Sequence, residues 1–140
     1  MANINTPYSL KPLLLADAAV CTACGIVLAA GSGLIAAWTS LPEMLVFYAG
    51  LALLPIAVII LVVATRLTAP PFVWLVIAGN ALWALASILL LFTGWIAPNS
   101  LGSAFIVVQA VMVAGFAAAE HKVMRGGFLA GLGKGQPAAR

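Results

Sequence analysis

Four stretches of this chain, residues 13–37, 44–65, 72–95 and 101–119, are apolar almost without a break. Their lengths run from 19 to 25 residues, and a helix needs about 20 to cross a hydrocarbon core about 30 Å thick. That run length constrains the fold more than any single residue does. A membrane β-strand is about 10 residues of strict alternation, and none of the runs alternates. A soluble four-helix bundle keeps a polar face on each helix, and no such face recurs. Of the 140 residues, 65% are hydrophobic and only 6% charged, whereas soluble domains carry about 25% charge. So little charge cannot cover the outside of a soluble fold, but lipid can.

The breaks between runs are short: Thr39–Glu43, Arg66–Pro71 and Ala97–Ser100, with Ser100 expected to cap the fourth helix. Short connections make neighbouring helices antiparallel. The expected fold is therefore all-α: an integral membrane four-helix bundle, up-down-up-down, in one domain over residues 1–125. Residues 126–140 are read as a flexible, basic, Gly-rich tail, with Gly126, Gly127, Gly131, Gly133 and Gly135. Phe128, Leu129 and Leu132 could touch the membrane from it. The first run is about twice the length of a signal-peptide core and carries Asp17, so it is expected to stay as a span.

Charge position predicts orientation. Lys11 precedes the first run, Arg66 follows the second, and Lys122, Arg125, Lys134 and Arg140 follow the fourth. The other two loops have no Lys or Arg, so both termini are expected in the cytoplasm. Trp38, Trp74 and Trp95 fall near run ends, where interfacial aromatics belong.

Polar groups inside spans are costly and need a reason. Asp17 is the only acid within a run. It could cap the helix start, bind a proton or cation, or pair with Arg66 or Lys11. Asn80, Trp83 and Ser87 share one face of the third span. Gly102, Gln109, Phe116 and Glu120 share one face of the fourth, and Tyr48, Pro55, Ile59 and Arg66 one face of the second. These groups are expected to point into the bundle, as glue between helices or as the lining of a polar cavity open to the cytoplasm. The candidate cavity residues are Asp17, Arg66, Asn80, Gln109 and Glu120. His121 is expected to be solvated. Pro55 removes one helical hydrogen bond and could kink the second span.

Cys21 and Cys24 form a C-x-x-C, but deep in a span and away from a helix start, so redox chemistry is a remote reading. Two thiols and one distant histidine are too few for a metal centre. Gly25, Ala29 and Gly33 make a small-residue stripe suited to close helix packing, and Ala110, Ala114 and Ala118 a second. Either could serve internal packing or a partner.

Leu15–Ala19, Ala49–Pro55, Gly79–Ser87 and Gln109–Glu120 together resemble small four-span inner-membrane proteins of bacteria, a group with no assigned activity. The resemblance implies a multi-pass place in the bacterial inner membrane. Small multidrug-resistance transporters also have four spans and an acid in the first. Theirs is a glutamate set deeper, and their motifs are absent here. The pattern of the four-span DoxX-like group does not match residue by residue.

The expected protein is non-enzymatic, without cofactor, catalytic residue or metal, and without a nucleic-acid partner. Surrounded by lipid, it would act by association, as a homo-oligomer or an accessory subunit. The alternative is a binder or transporter of a small or lipophilic molecule through the polar cavity.

Overall fold

The structure, a computed structural model, describes residues 10–133. It contains five α-helices and, among the described residues, no strand. They are α1 (Leu10–Ala30), α2 (Ser32–Thr39), α3 (Glu43–Thr65), α4 (Pro70–Leu90) and α5 (Ser100–Gly133). Four of them, α1, α3, α4 and α5, are long and apolar enough to cross a membrane. At 1.5 Å per residue, the 21 residues of α1 reach about 32 Å. Large apolar side chains such as Leu75, Leu82, Val108 and Val111 are exposed. In water such a surface would drive aggregation; in lipid it carries no penalty. The protein is thus a helical membrane protein by class.

The first apolar run is divided. Gly31 separates α1 from α2, yet its N–H still reaches the Val27 carbonyl and its own carbonyl accepts from Ile35. The segment thus continues with a local turn. It ends at Ser40, whose left-handed backbone (φ 57°) returns its N–H to the Ala36 carbonyl. Pro55 lies within α3, which continues through it.

The helices associate in two pairs, α1 with α3 and α4 with α5, while α3 and α4 barely meet. Glycine makes the first pair close. A Cβ on Gly50 would stand 2.5 Å from the Ala29 nitrogen and 2.8 Å from the Gly25 carbonyl oxygen. One on Gly25 would stand 2.8 Å from a Leu54 methyl. These backbones touch because neither glycine has a side chain. A main apolar cluster, with Leu14, Ile60, Val63 and Val73 fully buried, joins the pairs near the start of α1. A smaller one gathers Leu41, Val46, Ile96 and Ile106.

Three boundaries differ from the sequence reading. The third span, α4, stops at Leu90 rather than 95. Tight i→i+3 bonds from Leu91, Phe92 and Thr93 close its last turn, and Gly94 follows at φ 74°. This leaves Phe92 and Trp95 on an exposed turn. The fourth span, α5, starts at Ser100, but Asn99 caps it: Asn99 Oδ1 accepts from the N–H of Gly102 at 2.9 Å. At its far end α5 runs past Arg125 to Gly133, where a loose tail was expected. A glycine in a helix costs only about 1 kcal/mol relative to alanine, and no proline interrupts residues 126–133. Lys134, Gly135 and Arg140 lie outside the described residues.

Candidate functional site

Asp17 is the second-turn residue of α1 that faces the other helices. It is 1% exposed, so its carboxyl is neither at a lipid surface nor in water. Asn80 of α4 donates from Nδ2 to Asp17 Oδ2 at 2.6 Å. Cys21, one helical turn on, offers its thiol to Asp17 Oδ1 at 3.7 Å. Glu120 of α5 is 0% exposed and lies within electrostatic reach of Asp17, Asn80 and Cys21. Neither Glu120 oxygen has a hydrogen-bond partner. Three helices thus bring two carboxyls, one amide and one thiol to a single buried point.

Of the five expected cavity residues, Asp17, Asn80 and Glu120 meet. Arg66 does not join them: it follows the last residue of α3 and is exposed, as is Lys11. The ion pair considered for Asp17 is therefore replaced by a neutral amide and a thiol. Gln109 belongs to a separate contact, accepting from Trp83 Nε1 at 3.2 Å. The face of α3 with Tyr48, Pro55, Ile59 and Arg66 is exposed, not turned inward. Its polar members lie near the helix ends, where they can reach the interface. His121 is half-buried and sets its ring edge-on to Trp74, with centroids 5.3 Å apart.

The small-residue stripe divides as well. Gly25 and Ala29 are taken up by the Gly50 crossing inside the protein. Gly33 is exposed and faces the Glu43 carboxyl. Ala110 is buried while Ala114 and Ala118 are exposed.

Above the cluster the helix pairs separate. An apolar cleft of about 630 Å³ opens between them, with Cys24, Leu28, Ala49, Ala86, Phe105 and Met112 in its walls. A smaller cavity of about 220 Å³ lies between α3 and α4 and includes Asn80. Cys21, Leu53, Trp83 and Val113 line both. Beyond the cleft the pairs rejoin at a second polar junction. Asn99 donates from Nδ2 to the Trp38 carbonyl at 2.8 Å and from its backbone N–H to the Thr39 carbonyl at 3.1 Å. Gly102 packs directly against Thr39, leaving no room for a Cβ.

Sequence reasoning did not foresee the cleft or the place of Cys21. Cys21 was legible in principle, since it sits four residues from Asp17 on the same helical face. The cleft depends on how far two helix pairs stand apart, which no spacing within one helix encodes. Both cysteines are free thiols. Among the described residues, no group of three or more His, Cys, Asp or Glu is arranged to hold a metal ion.

No family model, curated protein or solved structure matches this chain.

Proposed function

We propose that this protein binds a small lipophilic molecule within the membrane, in the cleft between its helix pairs. The carrying observation is the cleft itself. At about 630 Å³ it falls in the range of ligand sites, about 300–1,000 Å³. Its walls are apolar, with few polar groups: the Trp83–Gln109 pair, Ser87 and the two thiols. Such a composition suits an apolar body oriented by a few hydrogen bonds. Association, as a homo-oligomer or accessory subunit, is the competing reading. It has lost part of its support, because Gly25 and Ala29 are spent on internal packing.

The same reading takes the bundle as up-down-up-down, with both termini cytoplasmic in a bacterial inner membrane. Asp17 near Glu120, and Thr39 against Gly102, are the contacts expected if α1–α2 and α5 run in opposite directions. Lys11 in the first turn of α1, Arg66 just after α3, and Lys122 and Arg125 in the later part of α5 all fall on the side assigned to the cytoplasm.

Native mass spectrometry of the full chain, released gently from its membrane, tests the function. A persistent added mass other than bulk lipid is expected on wild type, and its loss in Ala49→Trp and Ala86→Trp, which fill the cleft. A wild type that never carries such a mass, or a mass that survives both substitutions, defeats the reading. Stoichiometric foreign subunits without a bound small molecule favour association.

A further inference from the structure

Two carboxyls share the buried cluster, and they are not equivalent. Both oxygens of Asp17 already accept, one from the Asn80 amide and one from the Cys21 thiol. Hydrogen bonds of this kind favour the ionised form of a carboxyl. Glu120 is as deeply buried; the Asn80 amide lies in reach of it but is engaged with Asp17, and neither Glu120 oxygen completes a hydrogen bond. Leaving an ionised carboxylate in such a place costs several kcal/mol, and a neighbouring negative charge raises that cost.

Among the described residues, no countercharge faces the cluster. From α1 the cluster is faced by Cys21, with Cys24 further along, while Lys11 is exposed. Arg66, after α3, is exposed. Helix α4 offers Asn80 and has no ionisable side chain. On α5, His121 turns to Trp74, and Lys122 and Arg125 are exposed. No described side chain neutralises the pair, and a bound cation would. Among the described residues no group of three or more His, Cys, Asp or Glu is arranged as a metal site, and a proton needs only one free carboxyl oxygen, which Glu120 has.

We propose that Asp17, Asn80 and Glu120 form an intramembrane proton-binding site in which Glu120 carries the exchangeable proton. The proton comes from water, forms an O–H bond at one Glu120 oxygen, and returns to water when the site empties. Asn80 and Cys21 hold the Asp17 carboxyl in place beside Glu120. The site stands independently of what fills the cleft.

The composition makes this directly measurable, since the chain has only three acidic side chains: Asp17, Glu43 and Glu120. Infrared spectroscopy of the full chain in lipid nanodiscs would follow the carbonyl band of a protonated carboxyl, identified by its shift in heavy water. At neutral pH the wild type should show this band, and E120Q should lose it. The doubly substituted D17N/E43Q protein, where Glu120 is the last acidic side chain, should keep it. That second variant decides the matter if E120Q does not fold. The proposal is overturned if wild type lacks the band from about pH 5 to about pH 9. Survival of the band in E120Q, or its loss in D17N/E43Q, also overturns it. So does a carboxylate band that responds to added sodium while no protonated band forms at any pH.

Discussion

Two polar junctions tie the helix pairs together, one on each side of the apolar cleft, and they are built in opposite ways. At the Asn99 junction each polar group has its partner. The side chain donates to Trp38 and accepts from Gly102, and the backbone N–H reaches Thr39. One of these bonds caps α5 and the other two cross to the end of α2, all between neutral groups, and Asn99 itself is exposed. At the Asp17 junction the groups are buried and acidic, and two oxygens are left without a donor. A fold needs clamps of the first kind to hold helices in register. It gains nothing in stability from the second, because an unsatisfied buried polar group costs about 1–3 kcal/mol. The contrast fits a clamping role for the Asn99 junction and supports the proton site proposed at the Asp17 junction.

Substitutions sharpen that contrast. The largest effect is expected for Asn80→Leu, which removes the amide from Asp17 and leaves two buried acids with only a thiol between them. A loss of about 3 kcal/mol is expected for a broken buried pair of this kind, read as a drop in thermal midpoint in detergent or nanodiscs. An unchanged midpoint would mean that the cluster is hydrated and not sealed. Asn99→Ala comes next. It deletes a helix cap and a bridge to Trp38 but buries no charge, so about 1–2 kcal/mol is expected. If Asn99→Ala proves the more damaging of the two, the functional assignment of the junctions is reversed. Trp83→Phe removes one neutral hydrogen bond to Gln109, worth about 1 kcal/mol. Because Trp83 lines both cavities, that substitution should alter ligand retention more than the midpoint. Equal changes in both would reduce Trp83 to a packing residue.

How much of this was legible beforehand follows from which interactions are local. Run length and charge alone announce four membrane-length helices, because crossing lipid is a matter of consecutive residues. The inward faces of α4 and α5 were also readable, since Asn80, Trp83 and Ser87 on the one and Gly102, Gln109, Phe116 and Glu120 on the other recur with the helical period. The face of α3 misled. Tyr48, Pro55, Ile59 and Arg66 align on a helical wheel, but the pairing of α3 with α1 is decided by Gly50 on another face. A glycine in a span has no polarity to attract notice. The end of α4 was overrun because Phe92 and Trp95 are as apolar as a span, and only Gly94 hints at the turn. The grouping of Asp17 with Asn80, and not with Arg66, needed relative rotations of helices that sequence spacing leaves open.

The smallest expected change is the one that separates stability from function most cleanly. Glu120→Leu exchanges an unpartnered buried carboxyl for an apolar side chain of similar size. The lost side chain made no hydrogen bond, so nothing favourable is removed, and a buried polar group is relieved of its desolvation penalty. Replacing buried ionisable groups by packed apolar ones is often neutral or stabilising. The thermal midpoint should therefore hold or rise, within about 1 kcal/mol, while the infrared signature of the protonated carboxyl disappears. Asn80→Leu, made only one contact away, should do the reverse by lowering the midpoint sharply. If Glu120→Leu instead destabilises as much as Asn80→Leu, Glu120 is a structural member of a fully satisfied network. The difference between the two junctions would then vanish.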